Sequence, residues 1–171
     1  MATGSNSWGR SEVPALNPGI AALAPLLGTW SGRGRGSYPT IEAFDYIEDV
    51  TIGHTGKPFL TYAQRTRSDE GLPLHAETGY IRLPEAGRIE LVIAHPTGVA
   101  EVQQGTVTVD GPQIAIDVRS TAIGLTGSAK PVTALARSIR VLGDELRYHL
   151  DMAAVGEPLQ HHLAATLHRQ P

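Results

Sequence analysis

Cysteine is absent from the 171 residues of this chain. Its absence excludes disulfide bonds, thiolate metal centres and cysteine nucleophiles. An excess of one sign of charge is also lacking. Basic and acidic residues nearly balance at a net charge of −3, and they form no run of like charge. Binding to nucleic acid therefore has no electrostatic support.

Long apolar runs are missing as well. No stretch of the chain approaches the roughly 20 apolar residues that a membrane-spanning helix needs, and residues 1–16 lack the apolar centre of a signal peptide. We therefore predict no membrane association and a soluble, cytoplasmic protein. Residues 1–16 are expected to be disordered, ahead of a single domain over residues 17–171.

Several catalytic signatures are absent too. The chain has no GxSxG serine nucleophile, no HxxxH or HExxH zinc helix and no phosphate loop that ends in GK[ST]. The glutamates of the predicted strands lie singly, and no two are spaced as an acid and base pair for glycosidase-type chemistry. These glutamates are Glu42, Glu48, Glu77, Glu90 and Glu101.

The chain does contain a long series of short strand patterns. Turn signals such as Asp110-Gly111-Pro112 recur about every 8–12 residues. They predict an all-β fold in which ten antiparallel strands close into a barrel with an interior cavity. Residues 120–130 break the rhythm and predict a loop. The predicted strands are 28–37, 41–53, 58–67, 74–83, 88–95, 99–109, 113–119, 131–141, 145–153 and 160–169.

A short helix is predicted ahead of the first strand. Asn17 suits the N-cap, Pro18 suits the first helical position, and Gly28 ends the pattern. A helix this short is expected to dock on one end of the barrel. Its apolar face comprises Ile20, Leu23, Leu26 and Leu27.

The first predicted strand carries evenly spaced glycines. Gly32, Gly34 and Gly36 leave one face without side chains, which allows either a planar ligand or a crossing strand to pack directly on the backbone. Trp30 and Tyr38 on the same strand are more typical of a barrel floor or rim than of a substrate contact.

Two adjacent histidines near the C-terminus are candidate ligands. On a regular strand His161 and His162 point to opposite faces, so they cannot both bind one ion. Because His161 shares its face with Leu163, Ala165 and Leu167, the pattern alone places His161 inside the barrel. The alternative is that both are ordinary surface or hydrogen-bonded histidines.

Four other polar residues are weaker candidates. His75 and His95 lie at strand ends near a barrel mouth, where capping or solvent-exposed histidines are the more common interpretation. Arg137 and Arg147 are the candidates for holding a carboxylate in a lipid-binding barrel, but alternation does not place them together on an inner face.

Several motifs, in order along the chain, resemble those of the nitrobindin family. These are heme proteins with a ten-stranded barrel similar to that of fatty-acid-binding proteins. The family's GxWxGxG motif stands at 28–34, and the resemblance covers about residues 23–169. Further matching segments are 38–41, 56–62, 74–80, 94–98 and 162–169.

The resemblance implies a cofactor and a set of residues around it. It implies one heme b per chain, with iron bound by His162, the histidine that opens the HLxAxL stretch; this replaces the pattern-based choice of His161. It also implies that Thr40 and Lys130 lie against the heme, with the Lys130 ammonium beside a propionate. The remaining residues implied to bind the cofactor are Leu74, His75, His95, Met152, Gly28, Trp30, Gly32 and Gly34.

The resemblance also implies an activity. It implies binding of nitric oxide and isomerisation of peroxynitrite to nitrate at a ferric heme in a crowded, apolar distal pocket. The sequence leaves both a monomer and a homodimer open. Two alternatives remain: a heme or nitric oxide sensor or carrier without turnover, and a lipid-binding barrel.

Overall fold

Ten antiparallel strands form a closed barrel in the computed structural model, which describes residues 14–171. Each strand pairs with its neighbours along the chain, and β1 pairs with β10 to close the cylinder. The predicted all-β, ten-stranded, fatty-acid-binding-protein-like barrel is confirmed. The strands are β1 (Gly28–Tyr38), β2 (Ile41–His54), β3 (Phe59–Arg67), β4 (Pro73–Glu85), β5 (Arg88–His95), β6 (Val99–Asp110), β7 (Gln113–Leu125), β8 (Val132–Leu142), β9 (Glu145–Ala154) and β10 (Gln160–Arg169).

The predicted loop over 120–130 is partly wrong. Strand β7 continues to Leu125, and only residues 126–131 leave the sheet. The reason is a β-bulge: Ser120 pairs with Gln103 and Ala122 pairs with Val102, so Thr121 is an extra residue on β7. Because a bulge interrupts the two-residue alternation, the sequence pattern stops looking like a strand where the strand continues.

The predicted N-terminal helix is present as a 3₁₀ helix over Pro18–Leu26. Asn17 caps it by accepting a hydrogen bond from the Gly19 N–H at 2.9 Å. Its buried face packs against β4 and β7. Of the predicted disordered segment, only residues 14–16 fall within the described part, where Leu16 packs against the core. No helix among residues 14–171 is long and apolar enough to cross a membrane.

The two ends of the barrel differ. At the helix end, the Trp30 indole donates to the Leu26 carbonyl at 2.9 Å, and the Arg169 guanidinium lies 4.1 Å from the Trp30 ring. The opposite end is open, and its rim exposes apolar side chains. These rim residues are Ile41, Leu72, Leu74, Leu125, Val155 and Leu159.

The glycines of β1 make room for neighbouring strands. A Cβ on Gly32 would lie 2.1 Å from the Thr166 carbonyl oxygen, and a Cβ on Gly34 would lie 2.2 Å from the Tyr46 ring. The sequence leaves either a planar ligand or a crossing strand to pack on the bare face of this strand. The structure shows the neighbouring strands β2 and β10 packed against it.

Gly32→Ala is expected to lower the free energy of unfolding by about 1–3 kcal/mol, because the new methyl group meets a backbone carbonyl that cannot rotate away. Gly124→Ala on β7 is the matched control, since the nearest atom to its added Cβ lies 3.9 Å away. We expect the control to change stability by less than about 0.5 kcal/mol. Urea unfolding measures both, and equal effects would contradict close packing at Gly32.

Candidate functional site

A cavity enters the barrel from the open end. Its main chamber has a volume of about 540 Å³, within the range of about 300–1,000 Å³ that is typical of small-molecule sites. A second recess of about 480 Å³ at the mouth shares Ile41, Met152 and His162 with the main chamber. A smaller recess of about 50 Å³ lies deeper, towards the helix end, and is lined by Leu26 and Glu48.

A β-bulge in β10 turns His162 towards this cavity. His161 pairs with Asp151 and Leu163 pairs with Leu150, so His162 is the extra residue. His162 and Leu163 therefore both line the main chamber, whereas His161 is exposed and its ring lies beside that of His149. The pattern-based placement of His161 inside the barrel is wrong, because strict alternation fails at a bulge.

The His162 ring is held with one nitrogen free. Its Nδ1 lies 3.2 Å from the Ser37 carbonyl oxygen, so Nδ1–H donates and Nε2 keeps its lone pair. Burial lowers the pKa of His162, the Ser37 hydrogen bond partly offsets this, and His161 lowers it further. The ring is therefore neutral at pH 7, which is the form that binds a metal or a heme iron.

The other residues predicted to bind a cofactor divide into two groups. One group gathers at the open end, where exposed Lys130 lies at the mouth and Thr40 lines the second recess. The motif residues Gly28, Trp30, Gly32 and Gly34 line neither chamber, and they pack β1 against the helix, β2 and β10. The main chamber is lined by Leu74, His75, His95 and Met152.

Sequence reasoning missed a buried set of ionic contacts inside the barrel. The Arg137 guanidinium bonds Glu77 through Nη1 at 2.9 Å and Glu101 through Nη2 at 2.5 Å. His95 Nε2 lies 3.0 Å from Glu101 Oε1, and His75 Nε2 lies 3.1 Å from His95 Nδ1. We call these five residues the polar cluster.

The two histidines of the polar cluster lie across the cavity from His162. His95 lies at the end of β5, which is the fifth strand from β10 in either direction around the cylinder. The resemblance implies an apolar wall opposite the iron ligand, but the structure places two imidazoles and the Glu77 carboxylate in the lining of the same chamber. Most of the chamber lining is nevertheless apolar, as the resemblance implies, and groups able to exchange protons lie opposite His162.

Long-range pairing explains why the polar cluster was missed. His95 is only 9% exposed rather than solvent-facing. Arg137 is buried among the glutamates, whereas Arg147 is exposed and pairs with Glu145 on its own strand. A signal was available in the polar pairs at i and i+2, His75 with Glu77 and Glu101 with Gln103, because such pairs share one face of a strand.

The polar cluster holds ionised carboxylates at neutral pH. Burial raises the pKa of Glu77, but the charge and hydrogen bonds of Arg137 outweigh burial and lower it to about 2. Burial also opposes ionisation of Glu101, and Arg137 and His95 again lower its pKa. Burial lowers the pKa of His75, with partial compensation from Glu77. Two carboxylates thus face one guanidinium, and the polar cluster carries an excess negative charge.

Glu48 in the deeper recess has the opposite behaviour. Its side chain is 1% exposed and accepts a hydrogen bond from the Tyr148 hydroxyl at 2.7 Å. Burial raises the pKa of Glu48 from 4.5 to about 7, although hydrogen bonds from Tyr148 and Gln64 partly offset it. Glu48 is therefore close to half-protonated at neutral pH.

Glu48→Gln is expected to gain stability relative to the unsubstituted chain as the pH rises. The pKa of Glu48 is higher in the folded chain than in the unfolded chain. Its contribution to the free energy of unfolding is therefore fully present below pH 4.5 and is lost as the pH rises to about 7. At about 1.4 kcal/mol per pH unit, the difference reaches about 3 kcal/mol. Urea unfolding at pH 4.5, 6 and 8 measures it, with exposed Glu42→Gln as the control. A difference that stays constant with pH would contradict burial of this carboxyl.

Comparison with known proteins identifies the family. Residues 19–169 match the family described as THAP4-like, heme-binding β-barrel domain. The chain belongs to this family. It is 62% identical over 156 residues to peroxynitrite isomerase 1 of Mycolicibacterium paratuberculosis, covering 91% of this chain and 97% of that relative. It is 60% identical over 156 residues to the peroxynitrite isomerase of Nocardia farcinica, covering 91% and 93%.

A solved structure agrees with the barrel. The crystal structure of Rv2717c from M. tuberculosis superimposes with a TM-score of 0.89 at 55% sequence identity, covering 92% of this chain and all of that one. The family resemblance that the motifs predicted is confirmed.

The residues around the cavity fit the heme that the family description names. A heme requires an axial donor, apolar surroundings and a cation near its propionates. The free Nε2 of His162 supplies the donor, Met152 and Leu163 supply apolar contacts, and Lys130 places an ammonium at the mouth. The apolar rim residues surround the opening of the cavity.

Proposed function

We propose that this chain binds one heme b through His162 Nε2 and isomerises peroxynitrite to nitrate at ferric iron. The observation that carries the proposal is the bulge that turns His162 into a cavity of about 540 Å³ and leaves Nε2 free. Relatives about 60% identical over nine-tenths of the chain are named peroxynitrite isomerases, which supports the reaction. The bound heme would supply a Lewis-acidic iron for the peroxynitrite oxygen and an open site for nitric oxide.

Protein residues would orient the heme and shield the reaction. The Ser37 carbonyl fixes the His162 ring and increases its electron donation through Nδ1–H. Lys130 at the mouth would pair with a propionate and set which edge of the porphyrin faces solvent. The closed barrel wall would keep the species formed from peroxynitrite inside the cavity until nitrate forms. Reactive nitrogen species that escaped would instead nitrate tyrosines.

A fatty-acid carrier is the less favoured function. Barrels of that kind hold a carboxylate with inward-facing arginines, and Arg137 does face inward. Its guanidinium, however, already bonds the carboxylates of Glu77 and Glu101. An incoming carboxylate would meet an excess of negative charge rather than a free cation.

Electronic absorption and rapid mixing test the proposal. Titration of the purified chain with hemin is expected to give a Soret band that saturates at one heme per chain and shifts when nitric oxide is added. The ferric protein is expected to speed peroxynitrite decay and to raise the yield of nitrate. A Soret band without faster decay would indicate a sensor or carrier, and the absence of a Soret band would overturn heme binding.

A further inference from the structure

Three donor atoms of the polar cluster form a triangle in the wall of the main chamber. His75 Nε2 lies 3.1 Å from His95 Nδ1, and Glu77 Oε1 lies 3.8 Å and 3.7 Å from these two nitrogens. Ligands bound to one ion at about 2.0–2.1 Å lie roughly 2.9–3.4 Å apart in octahedral or tetrahedral geometry. Shifts of a few tenths of an ångström would therefore bring all three atoms onto a single ion.

Buried partners already orient two of these donors. His95 Nε2–H donates to Glu101 at 3.0 Å, so the Nδ1 lone pair faces the triangle. Glu77 Oε2 accepts hydrogen bonds from Arg137 at 2.9 Å and from Tyr62 at 3.2 Å, while Oε1 keeps a longer contact of 3.2 Å with Arg137. Histidines that bind metals commonly donate their second ring N–H to a carboxylate in this way.

The charge of the polar cluster also favours a cation. Glu77 and Glu101 are both bonded to a single guanidinium, that of Arg137, so the carboxylates outnumber the guanidinium by one. Uncompensated buried charge is costly. In addition, the two facing imidazole nitrogens of His75 and His95 can share only one proton, whereas a metal ion accepts both lone pairs.

We propose that His75, Glu77 and His95 bind a divalent first-row transition-metal ion, at a site separate from the His162 ligand. Two imidazoles and one carboxylate form the donor set of catalytic zinc sites and of non-heme iron sites, with at least one position left for water. Because all three residues line the main chamber, that position opens into the cavity. The proposal does not depend on the proposed function, since its ligands lie on β4 and β5, across the barrel from β10.

Calorimetric titration of the heme-free, 171-residue chain with Zn²⁺ tests the site. We expect one tightly bound Zn²⁺ per chain and binding more than about 100-fold weaker in His75→Ala, because a ligand is lost. His75 is the first choice for substitution because its side chain is 30% exposed and is not bonded to Arg137. Glu101→Gln, which alters the hydrogen-bond partner of His95 and removes one of the two carboxylates bonded to Arg137, is expected to weaken binding about 10–100-fold.

Two control variants locate the ion. His161→Ala removes one ring of the exposed pair with His149, whose centroids lie 5.5 Å apart, and His162→Ala removes the proposed heme ligand. Both are expected to bind Zn²⁺ as the unsubstituted chain does. Loss of Zn²⁺ in either control, full retention in His75→Ala, or no tight site at all would overturn the proposal.

Cobalt provides a second readout. Co²⁺ bound at this site is expected to give visible d–d bands that disappear in His75→Ala, while circular dichroism shows that the barrel is intact. Failure of the heme proposal is distinguishable, because it shows in the hemin titration, either as no Soret band in the unsubstituted chain or as an undiminished band in His162→Ala, whereas failure of the metal site leaves heme binding unchanged. Cobalt bands that persist in His75→Ala would overturn the assignment.

Discussion

His162→Ala is expected to abolish heme retention and, with it, any acceleration of peroxynitrite decay. The substitution removes the only proposed axial donor from the β10 wall, and the remaining cavity histidines, His75 and His95, lie on the opposite side of the barrel. We expect hemin affinity to fall by more than about 100-fold, since loss of only the hydrogen-bond partner of a metal ligand costs about 10–100-fold in affinity. Soret absorbance after gel filtration measures retention.

His161→Ala is the matched control for this substitution. It alters the neighbouring imidazole on the same strand but leaves the cavity unchanged, because His161 is exposed. We expect normal heme content and activity from the control, and partial recovery of the Soret band in His162→Ala when imidazole is added. A Soret band of unchanged stoichiometry in His162→Ala without added imidazole would refute the ligand assignment.

The barrel was predictable from sequence because its signals are local. Turn residues and two-residue alternation recur along most of the chain, and neighbouring strands pair in sequence order. The helix cap at Asn17 is equally local. The prediction failed over residues 120–125 because the bulge at Thr121 changes which residues face inward, and alternation cannot be followed through an extra residue.

The orientation of His162 could not be derived from its own strand. Both faces of β10 carry small or apolar residues. Either face could therefore be the inward one, and the alternation along this strand does not decide between His161 and His162. The bulge between His161 and Leu163 decides the orientation, and it arises from pairing with β9. Family resemblance was the only available source of this information.

The polar cluster depends on contacts that no local pattern contains. Arg137 meets Glu77 across 60 positions of sequence and Glu101 across 36. Their meeting requires the strand order, the register and the inward face of three strands to be known together. The glycine motif also depends on such contacts, since Trp30 packs against the helix and Gly32 against β10, and the motif alone does not show these neighbours.

Arg137→Met is expected to lower the free energy of unfolding by about 3–5 kcal/mol at neutral pH, because it leaves the carboxylates of Glu77 and Glu101 buried without a cation. Arg147→Met is the matched control: this arginine is 64% exposed beside Glu145, and a change within about 0.5 kcal/mol is expected. Urea unfolding of both variants makes the comparison, and similar losses would contradict the difference in burial.

The pH dependence of the Arg137→Met deficit separates lost charge compensation from lost packing. Arg137 lowers the pKa of Glu77 to about 2 in the folded chain, so its contribution is present above pH 4.5 and is lost as the pH falls towards 2. The deficit is therefore expected to shrink in acid. Adding Glu77→Gln and Glu101→Gln to Arg137→Met should also recover much of it at pH 7, because a neutral set of side chains needs no cation. A deficit that neither acid nor the added substitutions reduce would mean that Arg137 stabilises the barrel by filling space rather than by its charge.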